Sequence, residues 1–166
     1  HEHIDPLRLE LRELLLQNAA SGCTMLFNRP LRELAQPVPP EAFMHDHWLM
    51  LTAACFGEIE PLSEPTLLYR QHGGNVFGAS GYGAAYFCRK LSLGVREIRE
   101  RLFRQCRQAG AFRDRFHDRL APETLALLED FARLPEAGFL ERRRILCRHR
   151  IFKSGCLRNF GMFLIV

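Results

Sequence analysis

Apolar positions open the chain at helical spacing. Leu7, Leu11, Leu14 and Leu15 share one face, and Asp5 with Pro6 supplies a cap and a first turn, which predicts a helix over 7–17. Ser21-Gly22 breaks that pattern. The mostly apolar run Cys23-Thr24-Met25-Leu26-Phe27 predicts a short buried strand stopped by Asn28-Arg29-Pro30. A short helix over Leu31 to Ala35 then leads into Pro37-Val38-Pro39-Pro40, where fixed φ angles and missing amide donors impose an extended loop. From His45 the chain is apolar except for polar residues gathered at the opening, which predicts a buried helix with Gly57 as its stop.

Glu58-Ile59-Glu60 and Thr66 to His72 alternate or cluster as strands do, separated by turns at Pro61 and Pro65, and Gly73-Gly74-Asn75 ends the second. Past Gly78, Gly81 and Gly83 the pattern becomes helical. The predicted helices are Tyr82 to Ala109, Ala111 to Leu120, Pro122 to Leu134 and Gly138 to Lys153. The expected fold class is therefore α+β, mainly helical, with a boundary near residue 80 between a part with short strands (1–80) and a helical subdomain (81–166). With 166 residues and 47% hydrophobic content, the chain can build one modest core or two small ones.

Six cysteines stand far apart, without the close pairs that zinc ribbons or redox motifs need, so reduced and mostly buried thiols are expected. No apolar run is long enough to span a bilayer and no cleavable leader is present, so a cytoplasmic segment cut from something longer is expected. Charge divides the chain. Residues 1–81 hold 5 Arg against 10 acidic residues, whereas residues 82–166 hold 18 basic against 9 acidic. Nearly all of that positive charge is arginine, whose planar fork suits phosphate and carboxylate.

Three polar clusters sit at the edges of apolar elements: Asn18 to Thr24, Met44 to Trp48, and Tyr69 to Asn75. In order and spacing they resemble the carboxyl-terminal half of the catalytic domain of family 2 glycosyltransferases, most closely the bacterial rhamnosyltransferase-like enzymes of cell-surface polysaccharide synthesis. The resemblance covers about residues 15–80 and, more loosely, the Arg-rich tail. It implies the carboxyl-terminal part of a GT-A type α/β domain, acting on a nucleotide-sugar donor and a glycan or lipid-linked acceptor.

Carried over by position, the resemblance makes Asp46 the catalytic base, a carboxylate that takes the acceptor proton as its oxygen attacks the anomeric carbon. His45 stands where the family has an acidic residue. Ser21, Gly22, Cys23 and Thr24 match a glycine loop that lets backbone approach donor and acceptor. His72 falls where the family often places a histidine near the donor diphosphate or its divalent metal (Mg or Mn), while by side-chain chemistry alone Arg70 suits pairing with a phosphate and Trp48 suits stacking on an acceptor sugar. Each has a plainer alternative: a helix cap for Asp46, a turn for Ser21 to Thr24, an ion pair for Arg70, a structural histidine, and a core tryptophan. No Asp-x-Asp occurs in the sequence. The nucleotide-binding half would lie upstream of His1, so the resemblance implies that these residues alone transfer no sugar.

Residues 139–166 carry six Arg and one Lys against a single Glu, interleaved with apolar side chains. Such a stretch suits an anionic membrane surface, at the inner face of the cell membrane, or else solvates one face of a packed helix. The rival to an enzyme is a basic helical module that binds nucleic acid or a protein partner. A metalloenzyme built on His45, His47 and His72 is disfavoured, since His45 and His47 diverge by about 200° on an ideal helix.

Overall fold

A computed structural model describes residues 7, 9–68, 94–153, 159, 162 and 163. The described helices are α1 (Leu11–Leu14), α2 (Arg29–Ala35), α3 (His45–Phe56), α4 (Gly94–Phe116), α5 (Pro122–Ala132) and α6 (Phe139–Arg148), with 3-10 turns at Gly22–Thr24 and His117–Arg119. No strand occurs among the described residues.

The core forms where α1, α2 and α3 meet the long α4. Leu102, Cys106, Ala109, Phe112 and Phe116 recur every three or four residues along α4 and are all buried. Against them lies α3, apolar on nearly every side, whose Trp48 packs edge-on to Phe112 with ring centroids 5.2 Å apart. Phe56 closes the same aromatic cluster from the far end of α3, 4.9 Å from Phe116. One buried cluster takes residues from Leu14 through Met162, so it draws on both sides of residue 80, while the expected boundary itself falls outside the described residues.

Side chains close the helix ends. Asn28 Oδ1 accepts from the Leu31 amide at 3.0 Å, and Pro30 occupies the first turn of α2. At the other end, Arg115 of α4 donates to the carbonyls of Leu34 (3.1 Å), Gln36 and Pro37, groups that a helix terminus leaves without partners. The same guanidinium lies 5.9 Å from the Trp48 ring centroid, which ties loop, α3 and α4 together. Between α5 and α6, the Asp130 carboxylate receives Arg133 at 2.8 Å, His149 at 2.8 Å and Arg148 at 3.3 Å. The last turn of α6 closes with Arg150 N–H on the Cys147 carbonyl and Ile151 N–H on that of Leu146, Arg150 taking the left-handed conformation (φ 51°).

The structure corrects the α+β expectation: it is helical, and the GT-A type α/β part with short strands is not seen. At 23–27 the backbone at Met25 is extended (φ −105°, ψ 133°), but Gly22–Thr24 is a 3-10 turn and Leu26 and Phe27 face solvent. An extended segment becomes a strand only through a ladder with another segment, and none of the described residues supplies that partner. Residues 58–60 and 66–68 likewise form no ladder with any described residue, Leu68 is exposed, and 69–72 lie outside the described residues. The opening helix is shorter than 7–17. Leu7 is exposed while Leu14, Leu15 and Leu16 are buried in succession, and only a loose turn, with the Gln17 amide on the Glu13 carbonyl at 3.2 Å, continues past Leu14. Asp5 and Pro6 lie outside the described residues.

A predicted break at Gly110 is also absent, since α4 runs straight through it to Phe116. A β-carbon at Gly110 would meet the Ala132 methyl of α5 at 3.6 Å, an ordinary contact. Gly110→Ala should therefore raise stability by about 0.5–1 kcal/mol through helix propensity alone. Urea unfolding checks this, and a lower midpoint would mean that α4 and α5 sit closer than described.

Candidate functional site

Two of the three polar clusters meet. The Pro37 to Pro40 loop returns the chain so that α3 starts beside the Gly22–Thr24 turn, and there Asp46 Oδ2 accepts the Gly22 amide at 3.0 Å. Asp46 Oδ1 accepts the amide of His47 at 2.7 Å, so each carboxylate oxygen holds one backbone N–H. The carboxylate sits in the first turn of α3, where the positive end of the helix dipole favours negative charge. Asp46 is 7% exposed, and each oxygen keeps a second lone pair for another donor.

His45, exposed, lies over Gly22. A β-carbon there would come within 2.6 Å of the His45 Nε2, so glycine is what lets the imidazole settle on the turn. The turn holds itself together: the Thr24 hydroxyl donates to the Ser21 carbonyl at 2.8 Å and accepts from the Ser21 amide at 3.2 Å. Cys23 points outward as a free, exposed thiol. Ser21, Gly22, Cys23, Thr24, His45 and Asp46 thus share one small surface region, with His45 and Cys23 at its rim.

Trp48 is elsewhere. It is fully buried, its Nε1–H donating to the Ala35 carbonyl at 2.9 Å with Phe112, Phe116 and Arg115 around its ring, so the sugar-platform role is closed to it. Arg70 and His72 lie outside the described residues. Among the described residues no three His, Cys, Asp or Glu side chains gather as they would around a metal ion.

His47, which the sequence set aside, turns out to anchor the start of α3. Its Nε2 and the Leu14 carbonyl are 2.6 Å apart, the ring therefore donating there, while Nδ1 is buried without a protein partner. Burial dominates its titration and holds the pKa below the ordinary 6.5, against the opposing pull of the Leu14 carbonyl and the Asp46 charge. The unfolded chain takes up this proton first as pH falls below 6.5, so stability drops from there down toward the folded value, at no more than about 1.4 kcal/mol per pH unit. Urea midpoints at descending pH should show this loss. The difference between wild type and His47→Gln should shrink with it, and a constant difference would reject the assignment.

Two side-chain amides on α4, Gln108 buried and Gln105 half-buried, were also unforeseen. Gln108 Oε1 accepts the Phe43 amide at 2.6 Å, and Gln105 Nε2 donates to the Leu16 carbonyl at 3.2 Å, fixing the segments that flank the site. Their signal was present: Gln108 stands one turn before the buried Phe112, on the side a surface glutamine avoids. The cysteines divide. Cys23 and Cys147 are exposed, against expectation, whereas burial pushes the thiols of Cys55 and Cys106 up to about 12 and leaves them inert. Cys88 and Cys156 lie outside the described residues.

Of the tail arginines, Arg142 turns inward to the carbonyls of Leu134 (2.9 Å) and Pro135 (3.1 Å), and Arg143 to those of Phe139 (2.7 Å) and Phe163. Arg144 and Arg148 reach outward. Among the described residues no helix is long and apolar enough to cross a membrane. Comparison with family models, curated proteins and solved structures finds no match to this chain.

Proposed function

We propose that the chain is the acceptor side of an inverting glycosyltransferase, which moves a sugar from a nucleotide-diphosphate donor to a hydroxyl of a glycan or lipid-linked acceptor. One observation supports this above the others: the Asp46 carboxylate is clamped by the Gly22 amide from 24 residues upstream, so that the Ser21 to Thr24 turn and the start of α3 form one surface. The proposal rests on this local arrangement and on the resemblance of the motifs, with no appeal to a sheet.

Inversion asks for one carboxylate beside the attacking hydroxyl. Held by two amides, Asp46 has a fixed orientation and a free lone pair on each oxygen, enough to accept the acceptor proton as the new bond to the anomeric carbon forms. His45, exposed at the rim and adjacent in sequence, is placed to donate to an acceptor hydroxyl or to the leaving group. A divalent cation, Mg or Mn, would offset the charge of the diphosphate, and none of the described residues is assigned to it.

The direct test incubates the full-length protein with a panel of nucleotide-diphosphate sugars and glycan acceptors and reads the anomeric configuration of the product by NMR. Inverted configuration is expected. Retained configuration, or no transfer from any donor, rejects the proposal.

A further inference from the structure

The opening of α6 exposes apolar and basic side chains together. Phe139 is 63% and Leu140 77% exposed, adjacent in sequence at the first turn of the helix. Arg144 follows Leu140 by one turn and Arg148 follows Arg144 by another, so the three lie along one side of α6. Their guanidinium-bearing side chains are 75% and 60% exposed. We infer that this edge of α6 docks on an anionic phospholipid surface, with Phe139 and Leu140 entering the interface and Arg144 and Arg148 meeting lipid phosphates.

Charge complementarity selects the occupant. Residues 139–166 hold seven basic residues against Glu141 alone, and that carboxylate is already engaged by Arg133 at 3.2 Å and Arg144 at 3.7 Å. Arg144 holds Glu141 in an exposed ion pair whose worth is small enough for a phosphate to replace it, whereas Arg148 shares the mostly buried Asp130 carboxylate with Arg133 and His149 and keeps further guanidinium N–H groups for a phosphate. Gly138, Phe139, Leu140, Glu141 and Arg144 line an open hollow of about 510 Å³, with room for a lipid headgroup.

Single-stranded nucleic acid fits less well. It needs aromatic faces free for base stacking, and Arg143 sits 3.3 Å from the centroid of the Phe139 ring. Leu140 would gain nothing from a sugar-phosphate backbone, whereas an acyl boundary removes it from water. Arg142 and Arg143, bound to carbonyls within the fold, play no part in docking. The inference is independent of the sugar-transfer proposal and holds whether or not that proposal survives.

The test is flotation of the 166-residue chain with vesicles of mixed phosphatidylglycerol and phosphatidylcholine at low salt, with circular dichroism as a check on folding. Binding is expected, and it should fall with added salt. Arg144→Gln with Arg148→Gln should weaken it roughly 30-fold, and Phe139→Ser with Leu140→Ser roughly tenfold or more. Leu140→Trp, which keeps an apolar side chain suited to the interface, should strengthen it.

The control removes equal charge elsewhere. Arg29 and Arg96 are 80% and 92% exposed in i,i+4 pairs, and replacing both with Gln should change binding by no more than roughly twofold. Failure to float, equal binding to pure phosphatidylcholine, or an equal loss in the control pair overturns the inference. So does an RNA gel shift that needs Arg144 and Arg148 while vesicles are ignored, which would identify nucleic acid as the occupant.

Discussion

On the proposed glycosyltransferase reading, Asp46→Asn should lower sugar transfer by the full-length protein roughly 10²- to 10⁴-fold, the usual contribution of a positioned general base, with donor affinity unchanged. The variant is nearly isosteric but chemically unequal. Asp46 offers an acceptor oxygen to the Gly22 amide and another to that of His47, whereas asparagine has only one oxygen and must turn its NH₂ toward one of these donors. The unmet amide costs about 1–3 kcal/mol, less than the total stability of an ordinary domain. Folded protein should therefore remain, and turnover should fall far more than the folded fraction. Gly22→Ala gives a useful contrast. Its methyl would displace the exposed His45 ring and leave Asp46 in place, so a rate loss confined to acceptor KM would assign His45 to acceptor binding. Near-normal turnover in Asp46→Asn would leave Asp46 as nothing more than a clamp between the two segments.

How far this site could be read from sequence depends on the range of each interaction. The start and stop of α3 were legible because their causes are local: a proline loop before His45 and Gly57 after Phe56. Asn28 was read as a stop when it is the cap of α2, since the same side chain ends one element and begins another depending on which amide it meets. Segment 23–27 was read correctly as extended at Met25 and wrongly as a strand, because pairing depends on residues far away in sequence. Asp46 and Gly22 were each picked out for their chemistry, yet their contact spans 24 residues and no spacing rule reports it. His47 was missed for a related reason. Its partner is the Leu14 carbonyl, one of those left without an intrahelical donor where α1 ends, and that end came earlier than the leucine periodicity indicated.

Trp48→Ala should be the most damaging single substitution to stability, by about 3–5 kcal/mol from the lost packing and cavity. The ring is fully buried where α2, α3 and α4 converge, against Phe112, Phe116 and the Arg115 guanidinium. Its Nε1–H also satisfies the Ala35 carbonyl at the end of α2, and leaving that group bare adds a further 1 kcal/mol or more. Melting followed by circular dichroism should fall by roughly 10–20 °C. Trp48→Phe, which keeps an aromatic ring but drops the donor, should lose about a third to a half as much. Since Trp48 is the only tryptophan in the chain, the native protein supplies its own control. Its emission should be blue-shifted, resist quenching by iodide, and stay constant when acceptor glycan is added. Emission that shifts on acceptor addition would return Trp48 to the sugar platform that the buried ring excludes, and a loss below about 1 kcal/mol in Trp48→Ala would contradict the packing of α3 on α4.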